Sequence, residues 1–198
     1  MKFKKTKLEN GLRIITIPMD TPTVTVLVLV EAGSKYETKK INGISHFLEH
    51  MCFKGTKKRP TALHISKELD GIGAQYNAFT SHEYTGYYAK AEKKHFNTIL
   101  DVVSDIYLHP IFDAREVEKE KGVIIDEINM YEDMPNRHVH DLFGEVLYDN
   151  QPAGWNVAGT KEIIKKLSRA DFVAYRDKHY VASSTIVVIA GNINEARA

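Results

Sequence analysis

Apolar and polar positions along the chain fall into two periods, and these lay out most of its elements. Residues 13–17 alternate as a strand, and the Asn10-Gly11 pair before them is a hairpin turn signal. Residues 23–31 carry an apolar run from Val24 to Val30 broken only by Thr25, which reads as a buried strand. Residues 61–69 read as a helix stopped by Asp70-Gly71-Ile72-Gly73, and residues 74–81 and 84–91 as a second hairpin. Residues 93–107 form a helix with Ile99, Val102, Val103 and Ile106 on its inner side. In residues 113–131, Val117, Ile124, Ile128 and Tyr131 recur at helical spacing and predict one buried stripe. Asp113 stands as its N-cap, and Glu116 completes a capping-box pattern. Helices over 136–148 and near 168–180 and a last strand over 185–190 complete a mixed α+β layout that no linker divides, so residues 1–198 read as one domain.

Composition narrows the function. A chain of 198 residues with 43% hydrophobic content can bury a sizeable core, and a net charge of +1 gives no sign of a nucleic-acid partner. Its single cysteine, Cys52, rules out an internal disulfide and fits a reducing compartment. The start, Met1-Lys2-Phe3-Lys4-Lys5, is basic but leads into polar residues, and the longest apolar run is too short to span a bilayer. The expectation is a cytoplasmic protein without a membrane partner.

Chemistry concentrates in His46-Phe47-Leu48-Glu49-His50. On a helix, residues i and i+4 lie on one face about 5–6 Å apart at Cβ, so two imidazoles can converge on one ion. Glu49, at i+3 from His46, shares that face and can take a proton from a metal-activated water. This is the inverted counterpart of His-Glu-x-x-His. Helical histidines are also often plain surface residues, so a third ligand decides. Glu120 and Glu127, two turns apart on the 113–131 helix, point the same way, and one can ligate while the other supports. Cys52 falls about 200° around the helix from His50 and reads as a small apolar packing residue. His64, His82, His95, His109, His138, His140 and His179 read as structural or solvated. By pattern alone, Asn77-Ala78-Phe79-Thr80 is interior strand and the 148–159 loop around Trp155 is packed surface.

Taken together, His46-Phe47-Leu48-Glu49-His50, Phe53-Lys54-Gly55-Thr56, Asn77-Ala78-Phe79-Thr80-Ser81 and Glu120-Lys121-Gly122-Val123-Ile124-Ile125-Asp126-Glu127 resemble the inverzincin family of pitrilysin, insulin-degrading enzyme and mitochondrial processing peptidase. The likeness is greatest to bacterial processing-peptidase-like proteases and runs from about Leu8 to Asn192. In that family seventy-six residues separate the motif's last histidine from the third zinc ligand, a glutamate, and here 127 − 50 − 1 = 76. The resemblance therefore implies one Zn2+ per chain on His46, His50 and Glu127, with Glu49 as base and Glu120 supporting. It implies a single αβ sandwich, mostly antiparallel sheet covered by helices, and a zinc endopeptidase acting on peptides or unfolded segments. Asn77, Ala78, Phe79 and Thr80 become an exposed edge that pairs with substrate, and the 148–159 loop lies near the catalytic chamber. Family members have two homologous halves, the second supplying arginine and tyrosine groups. The chain reads as the N-terminal half, completed by a second half-domain, a partner chain or further copies of itself. Two other readings stand beside this one. A non-catalytic subunit would lack part of the motif, which is intact here. A zinc lyase of the S-ribosylhomocysteinase type needs a distal ligand cysteine and a second reactive one, and the chain has only Cys52.

Overall fold

In the strand over Thr23–Val30, Val24, Val26, Val28 and Val30 are buried while the residues between them are half-buried. One sheet face is thus sealed against helices and the other is only partly covered, a finer distinction than the apolar run alone conveyed. The computed structural model describes residues 2–193; Met1 of the basic start and residues 194–198 of the expected domain lie outside the described residues.

The strands are β1 (Lys4–Lys7), β2 (Arg13–Pro18), β3 (Thr23–Val30), β4 (Gln75–Thr80), β5 (Thr85–Glu92) and β6 (Thr185–Gly191). They form one sheet in the order β1-β2-β6-β3-β5-β4, antiparallel throughout except where β2 runs parallel to β6. The helices are α1 (Ile44–Cys52), α2 (Ala62–Asp70), α3 (Phe96–Leu108), α4 (Ala114–Glu132), α5 (Pro135–Tyr148), α6 (Lys161–Lys166) and α7 (Arg169–His179). This is the mixed α+β domain that the pattern predicted. Helix α3 lies on β3 and β5 and buries Ile99, Val102, Val103 and Ile106. Helix α1 packs on α7, with the Phe47 and Phe172 rings edge-to-face at 4.8 Å. The Asn-Gly signal is the β1–β2 hairpin, with Gly11 at φ +90°.

Three details depart from the sequence reading. Helix α6 was not anticipated: six residues with one buried side chain, Ile164, are too few to show a period. Asp113 caps α4, accepting from Arg115 N and Glu116 N, but the Glu116 carboxylate takes Lys119 at 2.6 Å and completes no capping box. The buried stripe of α4 is Val117, Glu120, Ile124 and Ile128, while Tyr131 stays partly exposed. Helix α5 is the reverse of an ordinary surface helix, because it buries no residue and leaves Phe143 64% and Val146 84% exposed. Among the described residues no helix is long and apolar enough to cross a membrane.

After α1 the chain is pinned by an ion cluster. Arg59, 3% exposed, meets Asp105 at 2.8 Å, Glu68 at 2.7 Å and Asp101 at 2.5 Å, and Thr56 donates to Asp105 at 2.6 Å. Glu68 and Asp101 are well exposed and contribute little, whereas Asp105 is buried. Arg59→Met should therefore cost about 3–5 kcal/mol, the loss seen when a buried charge loses its partner. Urea unfolding checks this, and a loss below about 1 kcal/mol, the worth of an exposed pair, would contradict it.

Candidate metal centre

Helix α1 begins without a capping side chain of its own. Its N-cap is Gly43, at φ +93°, where a Cβ would stand 2.6 Å from the Ala158 carbonyl oxygen, so a side chain is excluded. The buried carboxylate of Glu37 takes over, accepting from Gly43 N at 2.7 Å, Ser45 N at 2.8 Å and Asn42 Nδ2 at 2.9 Å. A carboxylate suits the positive end of a helix. Burial pushes Glu37 above the ordinary carboxylate range while these donors pull it back. Sequence reasoning passed over Glu37, because it lies outside the helix it caps.

So anchored, α1 turns one edge outward. Ile44, Ser45, Phe47, Leu48, Met51 and Cys52 are buried, and the three partly exposed positions are His46, Glu49 and His50. Cys52 points into the core beside Tyr87, its thiol pushed up to about 12 by burial, and it takes no part in the site.

Helix α4 brings Glu127 to the histidines. Its Oε2 lies 3.6 Å from His46 Nε2 and 3.5 Å from His50 Nε2. The three ligand atoms all lie within 4.8 Å of one another, and among the described residues this is the one such group of three His, Cys, Asp or Glu. Ligands about 2.0–2.2 Å from a tetrahedral ion sit roughly 3.3–3.5 Å apart, so the donor set and its spacing fit zinc. Burial, with the His50 imidazole beside it acting in the same direction, lowers His46 to about 4, which leaves it neutral, the form that ligates. Glu127 Oε1 accepts from the Tyr131 hydroxyl at 2.6 Å, and the Arg137 guanidinium lies 3.4 Å over the Tyr131 ring. The Tyr131 hydroxyl thus steadies Glu127, a contact its place in an apolar stripe did not suggest.

Glu120 stands on the other side of His50, with Oε1 2.9 Å from His50 Nδ1 and Oε2 2.6 Å from Lys54 Nζ. Burial alone would raise its pKa, but the His50 and Lys54 contacts outweigh burial and hold the carboxyl below its usual range. Glu49 is moved the other way: burial raises it, against the pull of the Thr80 hydroxyl, which donates to Oε2 at 2.5 Å.

Thr80 ends β4, which pairs only with β5 among the described residues and is the sheet edge. Its side chains alternate between exposed (Asn77, Phe79) and half-buried (Ala78, Thr80), so the interior-strand pattern reading is corrected. All four border a cleft of about 480 Å³ that also contains His46, Glu49, His50 and Glu127. Arg137 and Asp141 of α5 and Asn156, Val157 and Ala158 of the long loop form its far wall. Trp155 lies in a neighbouring depression instead. His82, read as structural or solvated, borders the cleft and is hydrogen-bonded to Ser34 at 2.7 Å.

Known proteins resemble this chain in sequence and in fold. A family model described as insulinase (peptidase family M16) matches residues 13–161. A Bacillus subtilis protein named uncharacterized zinc protease YmxG is 42% identical over 197 residues, covering 98% of this chain and 47% of its own length. The mitochondrial-processing peptidase subunit beta of Rattus norvegicus is 40% identical over 188 residues, covering 95% of this chain and 38% of its own. This chain thus spans about half the length, or less, of the curated relatives it matches. A peptidase M16 inactive domain from Pseudomonas fluorescens superposes with a TM-score of 0.91 at 14% identity, covering 100% of this chain and 48% of that one, a likeness of fold alone. With the family model spanning most of the chain and relatives this similar, the protein belongs to the insulinase family of peptidases, family M16.

Proposed function

We propose that this chain is the metal-bearing half of a zinc endopeptidase that hydrolyses peptides or unfolded polypeptide segments. The fold does not carry this reading, since an inactive domain shares it. The supporting observation is the convergence of His46, His50 and Glu127 within 4.8 Å, with Glu49 beside them in the same cleft. A non-catalytic subunit would have no need of that carboxylate.

When bound, zinc supplies a Lewis acid that polarises a carbonyl and brings the pKa of water from 15.7 toward about 7. The chain's residues do the rest. Glu49, held by Thr80, takes the proton of the attacking water and returns it to the departing amine. Glu120 fixes the His50 ring, and the Tyr131 hydroxyl steadies Glu127. The outer edge of β4 over Asn77, Ala78, Phe79 and Thr80 has no strand partner among the described residues, and an extended peptide can add there as a strand, displacing the Asn77 side chain from Ala78 N. The direct test joins elemental analysis of the purified chain, where one zinc per chain is expected, to a peptide assay of a Glu49→Gln form. A metal-free wild-type protein overturns the reading.

The second half belongs to the same proposal. The relatives extend well beyond the matched region, and α5 turns Val139, Phe143, Val146 and Leu147 outward while Arg137 and Asp141 border the cleft. An apolar helix face next to a peptide cleft is what a second half, whether fused, supplied by a partner chain or by another copy, would cover. The isolated chain, monomeric by light scattering, should therefore cleave an unstructured fluorogenic peptide about 10²–10³-fold more slowly than the complemented enzyme, the scale of losing one oxyanion donor. Equal rates would rule out a required second half.

A further inference from the structure

The two histidines of the centre are held unequally. His46 Nδ1 is buried and has no hydrogen-bond partner among the described residues, whereas His50 Nδ1 meets Glu120 at 2.9 Å. Glu120 interrupts an otherwise apolar stripe on α4 and is 4% exposed. A carboxylate so placed needs a counter-charge, because desolvation strongly disfavours an unpaired one. That counter-charge is Lys54, 2.6 Å from Glu120 Oε2.

Lys54 reaches Glu120 because its backbone is clamped on both sides. Its N–H donates to Met51 O at 3.1 Å, directly after the last turn of α1, four residues beyond His50. Gly55 follows at φ +142°, where a Cβ would lie 2.5 Å from the Pro60 carbonyl oxygen, and its own carbonyl accepts from Ile111 N at 3.1 Å. Thr56 bridges to Pro110, and Arg59 anchors the segment's far end in its ion cluster. Only the side-chain torsions of Lys54 remain to be ordered.

Glu120 and Glu127 project from one face of α4 two turns apart, and either could serve as a metal ligand by type. Their partners distinguish them. Glu127 has one oxygen on the Tyr131 hydroxyl and presents the other to both histidines, whereas Glu120 has one oxygen committed to His50 and the other to Lys54. We infer that Lys54 is a positioning residue for the metal centre: its ammonium commits Glu120 to support. Glu120 then holds the His50 tautomer whose Nε2 lone pair faces the cleft and does not compete with Glu127 for the ion. This rests on the zinc reading above and adds a residue on which that reading does not depend. The ring N–H acceptor of a ligating histidine fixes which nitrogen can bind metal.

The test measures zinc affinity of the 198-residue chain by competition with a chromophoric chelator, with no need for catalysis. Lys54→Met should bind zinc about 10–100-fold more weakly than wild type, the range for loss of an outer-shell partner, and Lys54→Arg should recover most of that loss. Because Lys54 acts only through Glu120, Lys54→Met added to Glu120→Gln should weaken binding no further. A second readout needs no variant. Two-bond 1H–15N spectra of the metal-free wild-type chain should show His50 protonated at Nδ1, and protonation at Nε2 overturns the inference. So does unchanged affinity in Lys54→Met, or an additive double variant, in a chain whose wild type binds zinc. A wild type that binds no zinc removes the zinc reading as well, which separates the two failures.

Discussion

Glu49→Gln is expected to abolish peptide cleavage while leaving zinc and fold in place. Glutamine keeps the shape of the side chain, and its carbonyl oxygen can still accept the Thr80 hydroxyl that holds Glu49 in the wild-type protein. Glutamine has no basic oxygen to take a proton. His46, His50 and Glu127 are untouched, so metal content should match wild type. The loss falls on kcat and should reach about 10²–10⁴-fold, the range for removing a positioned general base. The measurement is peptide turnover by the complemented enzyme beside elemental analysis of the same sample. Turnover near the wild-type rate would place the base elsewhere, and lost metal would mean that Glu49 has a coordinating role.

The complementary expectation concerns the ligands. Glu127→Gln and His50→Ala should each weaken zinc binding by more than the 10–100-fold typical of an outer-shell partner, because each removes a donor from a set of three. Neither should unfold the chain. In Glu127→Gln the amide oxygen can still accept from Tyr131, and in His50→Ala the buried Glu120 keeps Lys54. Zinc that binds only the folded state stabilises it by about 4 kcal/mol at a thousand times Kd. Stripping the metal should therefore lower the wild-type melting temperature, and the same treatment should leave His50→Ala unmoved. Stoichiometric zinc in purified His50→Ala would overturn the ligand assignment.

The two carboxylate variants separate what the site needs from what it holds. Glu49 lies at the cleft without being one of the three converging donors, so its loss is read in turnover. Glu127 is one of those donors, so its loss is read in metal. A protein that failed both tests in the same way would be misfolded, and urea unfolding would show it.

Much of this was legible in the chain because periodicity is local. The spacing of Ile99, Val102, Val103 and Ile106 predicts the buried face of α3, and the i, i+3, i+4 spacing of His46, Glu49 and His50 places all three on the outward edge of α1. Helix geometry also puts Glu120 and Glu127 on one side of α4. What local spacing could not supply was the choice between them, which the family resemblance offered as an expectation. In the structure Lys54 against Glu120 and Thr80 against Glu49 are contacts across elements, while Tyr131 against Glu127 is an i, i+4 contact within α4 that an apolar reading of Tyr131 passed over. Strand order is a further such case. The sequence of Asn77-Ala78-Phe79-Thr80 suits an interior strand as well as an edge, and β4 is outermost because β5 has β3 on its other side and no strand among the described residues pairs with the far side of β4. Glu37 capping α1, and α5 turning its apolar side outward, were likewise hidden, since each depends on what lies across a gap that no periodicity spans. The residue types and their spacing determined which chemistry this protein can hold. Long-range packing decided which oxygen faces which nitrogen, because a side chain's partner is set by burial and distance rather than by position in the chain.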